Sequence, residues 1–403
     1  MNTQVLECPS ITDVPNYDCV PGYEVISQAT YEHFGMIKLL SGHEAYHVMN
    51  YHDVKKILTN ASCIRSPSNS PEGPSILPTL TPKDLLLNLD FPEHGRMKRF
   101  VAKDYSTSGL SWLKEYIKDA TENLIMEKTI TGTFDLYKDT LDPVAIKINC
   151  HLLGIPIEEK DYFRVFSVTV QKSDKKNVVD LIEKFEKLYA YLYEHVTGKR
   201  EHYKHGLISK FLSLRESAEP PLNNEELTAI LLGSLLGGDQ NVLTVMTKIF
   251  YALLYLRNLW QFISLNPIYI PAVVEELVRL TNLGDASAFP RIAISDIELS
   301  NGNIPAGSAI YPDVFLANRD PSVFPEPLII NPFRNSVRHL QFGYGMHHCM
   351  GQELARLEIC SIISVVTELL PNLGLAAGKS PKDYAWDEGI ILRRPKELPV
   401  QTL

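Results

Sequence analysis

The chain has 403 residues, of which 45% are hydrophobic and 22% charged. This is the composition of an ordinary globular protein that can bury a sizeable core. Its formal net charge of -9 argues against a nucleic-acid partner, because nucleic acids attract basic surfaces. The most apolar run, Ala229 to Gly238, is too short to cross a bilayer, and the polar N-terminus lacks the pattern of a signal peptide. We therefore expect a cytoplasmic protein that does not span a membrane.

The six cysteines do not have the pattern of a disulfide framework. None of them forms a C-x-x-C pair, and a chain of this length does not depend on disulfides for its core. Five of the six are interpreted as small buried apolar side chains. Cys349 differs from them because of its neighbours.

The N-terminal third contains one short strand candidate, Ala45 to Met49, followed by a helical pattern from Val54 to Leu58. A stretch with five widely spaced prolines then runs from Pro67 to Pro82. Because proline lacks a backbone donor and fixes φ, this stretch is predicted to be a loop. Loops of this length in compact proteins are often functional.

From Leu110 to Leu265 the apolar residues recur with mostly helical periodicity. Breaks in this periodicity fall at Lys172 to Lys176 and at Ser217 to Pro221. A long helix is predicted from about Asn223 to Tyr255, and Glu226 stands at capping-box spacing from Asn223.

The long helix is apolar almost all round, which predicts that it is buried. Its middle has the sequence Gly237-Gly238-Asp239-Gln240-Asn241. Two glycines cost a helix about 1 kcal/mol each relative to alanine, and polar side chains follow them in a buried position. We therefore expect another group to lie against this point of the helix.

Short strand-like segments appear late in the chain, at Ile292 to Leu299, Ala309 to Tyr311 and Ile390 to Leu392. Strands and helices do not alternate, which argues against a parallel α/β sheet. The predicted fold class is mostly α with small peripheral β-sheets (α+β). It is expected to form a single domain over residues 1–403, with a β-rich part near the N-terminus.

The segment from Phe342 to Gly351 has the sequence F-G-Y-G-M-H-H-C-M-G and leads into a further helix. Its glycines permit a tight loop with unusual backbone angles. Cys349 then stands at the start of a buried helix, where backbone N–H groups favour a thiolate. A sulfur in such a place is either a nucleophile or a metal ligand.

Three kinds of site compete as interpretations of this segment. The spacing of the glycines fits no phosphate-binding loop. A zinc site would use His347 or His348 with Cys349, but the sequence shows no second ligand cluster. A cysteine nucleophile would need a partner histidine elsewhere, and the twelve histidines of the chain leave that open. The residues alone do not decide between a nucleophile and a metal ligand.

The segment resembles the haem-binding loop of the cytochromes P450, F-G-x-G-x-H-x-C-x-G, at every fixed position. The resemblance implies that Cys349 is the thiolate ligand of the iron in haem b, which favours O–O cleavage. It also implies that His347 binds a haem propionate and that Phe342 covers the proximal haem face. Gly343 and Gly351 complete the implied cofactor-binding loop.

Other segments follow the order of that family, from about Tyr51 to Val400. Glu276-Leu277-Val278-Arg279 matches its E-x-x-R motif, and Ala317 to Pro321 also resembles a family stretch. Pro290-Arg291 and the segment from Asp90 to Arg99 stand where the family binds the propionates. By this resemblance, the further cofactor-binding residues are His94, Lys98 and Arg291.

Two of these positions depart from the family pattern. Lys98 stands where arginine is usual, and lysine supplies a charge without the guanidinium fork. The arginine that normally joins the E-x-x-R pair is Ile329 here. Arg334 and His339 are the candidates to replace it.

A third departure concerns the chemistry on the long helix. The family usually has A-G-x-D/E-T there, and the alignment places Gln240 at the acid and Asn241 at the alcohol. Gly238, Asp239, Gln240 and Asn241 are therefore the candidate catalytic residues. The Asn241 amide can hydrogen-bond dioxygen or a water. On an ideal helix Asp239 points roughly 100° away from Gln240, so it could relay protons only if the helix bulges at the glycines.

The resemblance implies a monooxygenase that inserts one oxygen atom from O2 into a small organic substrate of natural-product type. Alternatives are oxidative coupling, ring formation or nitration without simple hydroxylation, a substrate bound to a carrier protein, and a non-catalytic haem sensor. The chain has no electron-transfer module, so a separate ferredoxin or flavodoxin with its reductase is expected, acting on a monomer.

Two sets of surface and pocket residues follow from the same resemblance. The cations expected to meet an acidic electron carrier are Lys98, Arg99, Arg338 and Arg356. The candidate walls of the substrate pocket are Ser66 to Leu87, the turn near Lys172, Leu235 to Asn241, Asn282 to Phe289, and Ile390-Ile391.

Overall fold

The computed structural model describes residues 7–17, 34–76, 81–128, 132–161, 164, 178–284, 286, 288–334, 338–378, 380–387 and 392–402. Most of the described chain is helical. Its α-helices are α1 Tyr51–Thr59, α2 Glu93–Ala102, α3 Leu113–Lys128, α4 Asp142–Leu153, α5 Val178–Val196, α6 Leu207–Leu214, α7 Asn224–Leu236, α8 Val242–Tyr255, α9 Arg257–Leu265, α10 Ile270–Leu280, α11 Val314–Ala317 and α12 Gln352–Leu369.

The described strands are short and form three sheets. They are β1 Gly35–Lys38, β2 Glu44–Val48, β3 Cys63–Ile64, β4 Thr133–Asp135, β5 Arg291–Ala293, β6 Ile297–Leu299, β7 Gly302–Ile304, β8 Ala309–Pro312, β9 Leu373–Leu375 and β10 Pro399–Thr402. The largest sheet has the order β1-β2-β8-β5-β3, the second has the order β4-β10-β9, and β6 pairs with β7. Within the largest sheet β2 and β8 run parallel, and the other pairs are antiparallel.

The predicted strand and helix near the N-terminus are confirmed as β2 and α1. Asn50 caps α1 by accepting a hydrogen bond from the backbone N–H of Asp53, which explains why the helix begins directly after the strand. The predicted strand Ala309 to Tyr311 is confirmed as β8. The break at Lys172 to Lys176 and the residues Ile390 and Ile391 lie outside the described residues.

The single strand predicted from Ile292 to Leu299 is wrong, because the chain bends at Ile294 and Ser295 and forms β5 and β6 instead. The two strands belong to different sheets. The Asp296 carboxylate accepts a hydrogen bond from the backbone N–H of Ala306 at 2.9 Å. This contact fixes the bend, and the apolar periodicity alone does not show it.

The predicted long helix is confirmed as the central helix, which comprises α7, a π-helical turn from Gly237 to Asn241 and α8. Asn223 and Glu226 form the predicted capping box. The helix is long and apolar enough to cross a membrane, but 67% of its most apolar window is buried inside the protein. The central helix is therefore a core helix of the fold.

The π-helical turn lies at the two glycines where the sequence predicts a group against the helix. A Cβ at Gly238 would lie 2.8 Å from Oδ1 of Asn149 on α4, so the glycine lets the Asn149 side chain lie directly against the turn. One extra residue per turn rotates the side chains that follow. The turn therefore sets the directions of Asp239, Gln240 and Asn241.

Candidate active site

The segment that carries Cys349 forms a tight loop before α12. Gly343 and Gly345 have φ of 69° and 68°, in the left-handed region that favours glycine. The Cys349 backbone N–H donates to the Phe342 carbonyl at 2.8 Å, which closes the loop. A Cβ at Gly345 would lie 2.6 Å from the Leu58 carbonyl at the end of α1. The loop is thus held against α1 in one conformation.

The Cys349 side chain is solvent-accessible, yet burial by the surrounding protein raises the pKa of its thiol. A side chain that is both accessible and surrounded by protein lies at the floor of a recess. The backbone N–H groups of Gly351 and Gln352 and the charges of Lys98 and Arg356 act against burial and lower the pKa. These groups stabilise negative charge on the sulfur.

Lys98 and Arg356 also make direct contacts that fix the position of the loop. The Lys98 ammonium donates to the carbonyls of Met346 and His348 at 2.5 and 2.7 Å. The Arg356 guanidinium lies over the Phe342 ring, 4.7 Å from its centroid. Lys98 is therefore bound to the loop itself, and its predicted contact with a propionate stays a prediction.

A cluster of buried cationic and imidazole groups lies beside the loop. The rings of His94 and His347 are 4.5 Å apart, and burial lowers their pKa values to about 3 and about 4. Burial also lowers the pKa of Arg291 to about 10 and that of Arg65 well below its usual value. Asp90 is the carboxylate whose charge acts on all four.

Several polar atoms of this cluster have no partner in the described part of the chain. Nδ1 of His94 and Nε2 of His347 are buried without a hydrogen bond, although Asp90 lies 3.9 Å from the latter. The Arg291 side chain is 6% exposed, and no described residue forms a hydrogen bond with its guanidinium. Unpaired buried donors are costly, so this cluster is suited to bind additional carboxylates.

The glutamate and the arginine of the E-x-x-R motif contact each other. Arg279 donates to both oxygens of Glu276 at 2.9 Å. Nε of Arg334 donates to the same carboxylate at 3.2 Å, whereas His339 pairs with the neighbouring Glu275 at 2.9 Å. Of the two candidates to replace the missing arginine, Arg334 is therefore the one that joins the pair.

The π-helical turn carries a buried chain of polar contacts. Asp239 is fully buried and accepts from Nη2 of Arg164 at 3.3 Å. The Gln240 amide donates to Asp239 at 3.0 Å, and its oxygen accepts from Nη2 of Arg394 at 2.7 Å. Arg394 also donates to the Thr244 hydroxyl at 3.0 Å. Asp239 and Gln240 are thus hydrogen-bonded to each other, and each is also hydrogen-bonded to an arginine.

Asn241 differs from its two neighbours, because its Oδ1 is buried without a hydrogen-bond partner among the described residues. Glu358 on α12 is fully buried, and neither of its oxygens has a partner in the same part of the chain. Burial raises the pKa of Glu358 well above its usual value, and the charge of Asp239 adds to this. No local motif marks Glu358, Arg164, Arg394 and Arg65, so the sequence alone did not predict these four residues of the site.

The comparisons with known proteins agree with this geometry. Residues 267–395 match the sequence profile described as Cytochrome P450. Over 360 residues, which are 89% of this chain and 90% of the relative, the chain is 31% identical to a mycinamicin IV hydroxylase/epoxidase of Micromonospora griseorubida. The chain belongs to the cytochrome P450 family.

A second relative of this P450 is a nocardicin C N-oxygenase of Nocardia uniformis subsp. tsuyamanensis, 29% identical over 366 residues, 90% of this chain and 91% of that protein. Among solved structures, cytochrome P450mel 107F1 with biaryl coupling reactivity is similar with a TM-score of 0.87 and 26% identity. The similarity covers 94% of this chain and 96% of that one. The predicted family, mostly helical fold and monooxygenase class are confirmed.

The residues of this P450 fit the haem that its family binds. Cys349 offers one sulfur at the floor of a recess, which suits a soft ligand to iron. Nδ1 of His94 and Nε2 of His347 are buried without a partner among the described residues. With the buried guanidinium of Arg291 beside them, they suit the two propionates. Among the described residues no group of three His, Cys, Asp or Glu side chains could hold a metal ion, so the zinc interpretation has no support there.

Two of the candidate pocket walls meet in the structure. The Ser68 hydroxyl donates to the Pro290 carbonyl at 3.3 Å, and Arg65 donates to the same carbonyl at 2.8 Å. The Arg65 guanidinium lies 4.7 Å from the centroid of the Phe289 ring. The start of the Ser66 to Leu87 loop is therefore fixed to the end of the Asn282 to Phe289 segment.

Glu358 is expected to make this P450 less stable as the pH rises above the ordinary carboxyl pKa of 4.5. The folded chain keeps the Glu358 proton that the unfolded chain releases, so each pH unit lowers the free energy of unfolding by up to about 1.4 kcal/mol until the raised pKa is reached. Glu358→Gln removes this titration. Its stability relative to the parent should therefore rise between about pH 5 and about pH 7 in urea unfolding.

The matched control is Glu368→Gln, an exposed carboxylate in the last turn of the same helix. Its stability relative to the parent should stay constant over the same pH range. Parallel profiles for all three proteins would show that Glu358 is ionised in the folded state.

Proposed function

We propose that this P450 is a monooxygenase that inserts one oxygen atom from O2 into a small organic substrate of natural-product type. It would act in the cytoplasm as a monomer that contains haem b. The observation that carries the proposal is the recess with Cys349 at its floor. Beside it lie the buried Arg291 and the nitrogens of His94 and His347 that have no partner among the described residues.

In this proposal each residue of the recess has a separate task. The Cys349 thiolate would hold the haem iron, and His94, His347 and Arg291 would bind the propionates. Bound in this way, the haem would supply the activation of dioxygen. Gly343, with its left-handed backbone, and Gly351 would shape the loop. Phe342, on which Arg356 is stacked, would cover the proximal face of the haem.

On the central helix the tasks are divided differently from the usual acid–alcohol pair. Gln240 and Asp239 are fixed by Arg394 and Arg164, so they act as positioning residues for the π-helical turn. The unpaired amide of Asn241 is the group that would orient a water or the substrate and guide a proton. The bulge that Asp239 would need is present, but its carboxylate is directed to Arg164.

The substrate class is inferred from the relatives. They include a mycinamicin IV hydroxylase/epoxidase and a nocardicin C N-oxygenase, which both act on natural products. The described candidate walls contribute Ser, Thr, Asn and apolar side chains more than charged ones. A neutral, largely apolar molecule with a few polar groups suits such walls.

The substrate proposal is tested by titrating the ferric protein with natural-product candidates and recording the haem spin state. A low-to-high-spin shift with a free small molecule, followed by incorporation of labelled oxygen from O2 into its product, supports the proposal. A shift without incorporation of the label contradicts oxygen insertion. If only a carrier-protein-bound form of the compound shifts the spin state, the substrate is tethered.

A second candidate function is oxidative coupling without oxygen insertion. It is favoured by the replacement of the acid–alcohol pair by Gln240 and Asn241 and by the similarity to a P450 with biaryl coupling reactivity. Coupling joins two substrate radicals and leaves no oxygen from O2 in the product. The labelled-dioxygen experiment therefore separates the two functions.

Electrons are proposed to come from a ferredoxin or flavodoxin that docks on the side of the Cys349 loop. Lys98 and Arg356 are occupied by contacts within the protein. Arg99 and Arg338 are exposed, although Arg338 also donates to His348 and Gln352 at 2.6 and 3.2 Å. Changing Arg99 and Arg338 to Glu should slow reduction by an acidic carrier about tenfold or more at low salt, and less at high salt. Stopped-flow reduction measures this effect.

The control for docking is the double variant Lys199→Glu and Lys204→Glu, an equal change of net charge on the exposed segment after α5. Helix α5 packs against α6 and α7. The double variant should leave the reduction rate unchanged. Equal slowing by the control would attribute the effect to net charge rather than to a docking site.

A further inference from the structure

Two histidines lie side by side away from the Cys349 recess. His151 is in the last turn of α4, and His205 is in the turn before α6. Their ring centroids are 4.5 Å apart, with an angle of 35° between the planes. Tyr116 of α3 stacks on His151 at 3.7 Å, which fixes the ring that is more buried. We call His151 and His205 the imidazole pair.

The nitrogens of the imidazole pair are available to a ligand. Neither ring makes a hydrogen bond with any residue in the described ranges. His205 is exposed and His151 is half-buried, so a ligand can reach both from solvent. Burial lowers the pKa of His151 to about 4, and His205 adds to this. His151 is therefore neutral at physiological pH, and its lone pair is free for coordination.

The separation of the two rings fits a shared metal ion. A first-row metal binds an imidazole nitrogen at about 2.0–2.1 Å, which places the ring centroid about 3.2 Å from the ion. In a tetrahedral site two such rings have centroids about 5.2 Å apart. The observed distance is 4.5 Å, so the centroids have to separate by less than about 1 Å to place one ion between the rings.

The two segments are also held together before any ion binds. The Tyr203 backbone N–H donates to the Gly154 carbonyl at 2.7 Å. A Cβ on Gly206 would lie 2.2 Å from the Gly154 nitrogen, so the two backbone segments are in direct contact at these glycines. Binding therefore costs little ordering of the backbone.

We propose that His151 and His205 form a surface site for a divalent transition-metal ion such as Zn²⁺. No third His, Cys, Asp or Glu joins them among the residues that the structure covers, so water completes the coordination. Imidazole ligands without carboxylates select Zn²⁺, Ni²⁺ or Cu²⁺ over Mg²⁺ and Ca²⁺. The ion would fasten the turn before α6 to the end of α4. The site is independent of the haem and of the proposed function.

The test is isothermal titration calorimetry of the haem-loaded protein with ZnCl2 and with MgCl2. We expect one equivalent of Zn²⁺ to bind and Mg²⁺ not to bind. His205→Ala and His151→Ala should each weaken Zn²⁺ binding by more than about tenfold, since loss of even an outer-shell partner costs about 10–100-fold. His52→Ala, an exposed histidine on α1, is the control and should bind as the parent does.

A second readout is the unfolding temperature. Zn²⁺ binds only where the folded chain brings both rings together, so it should raise the unfolding temperature of the parent and of His52→Ala but not of His205→Ala. His205 is exposed, so its replacement leaves the core intact. The proposal is overturned if the parent binds no Zn²⁺, or if both imidazole variants bind it as tightly as the parent.

Discussion

Cys349→Ser is expected to abolish the thiolate signature of the haem, seen as the red-shifted band of the ferrous–carbon monoxide complex. Cys349 is the accessible sulfur at the floor of the recess. A serine hydroxyl does not ionise under the N–H groups of Gly351 and Gln352 that help to stabilise a thiolate. Since the thiolate donates electron density that favours O–O cleavage, product formation should fall to background in the same variant.

The control is Cys360→Ser, which lies on α12, the helix that follows the Cys349 loop. Burial raises the pKa of the Cys360 thiol to about 12, so this sulfur stays protonated and does not compete for a metal. Its variant should keep the thiolate band and the parent activity. If Cys349→Ser folds, as judged by circular dichroism, and keeps the band, Cys349 is not the ligand.

The sequence predicted those parts of the site whose residues are neighbours in the chain. The loop from Phe342 to Gly351 is contiguous, and its glycines, cysteine and following helix are visible together. The central helix was equally accessible, because its capping box and its apolar surface are local patterns. Even the bulge at Gly237 and Gly238 could be anticipated from two glycines followed by polar residues in a buried helix.

Contacts between distant segments could not be predicted in this way. Arg394 reaches Gln240 across 154 positions of the chain, and Arg164 reaches Asp239 across 75. Neither arginine stands in a motif. An isolated arginine has the same local sequence whether its side chain faces solvent or a buried polar group. Only the folded structure therefore shows that the side chains of Asp239 and Gln240 are bound to Arg164 and Arg394.

Lys98 shows a further limit, because its identity was known but its partner was not. The resemblance assigns it to a propionate, whereas the structure gives its ammonium two carbonyls of the Cys349 loop. A compact ammonium donates in several directions, and a guanidinium fork favours a planar carboxylate. The change from arginine to lysine at this position is thus consistent with a bond to the loop.

Asn241→Ala is expected to lower product formation about 100-fold and to divert electrons to reduced oxygen species, because a positioned proton-transfer group contributes about 10²–10⁴-fold in rate. The amide oxygen of Asn241 has no partner among the residues that the structure describes, so its removal breaks no hydrogen bond of that oxygen there. The measurement is product formed per pair of electrons consumed, together with the solvent isotope effect on turnover.

The matched control is Asn149→Ala, which removes another buried amide. Oδ1 of Asn149 has no partner among the described residues, and the side chain packs against the π-helical turn at Gly238. This variant tests whether any loss of a buried amide near the turn disturbs turnover, and it should change the coupling little. If Asn241→Ala couples electrons to product as well as the parent, the amide has no part in proton delivery. Ordered water or a polar group of the substrate itself must then perform that task, because Asp239 and Gln240 remain bound to Arg164 and Arg394.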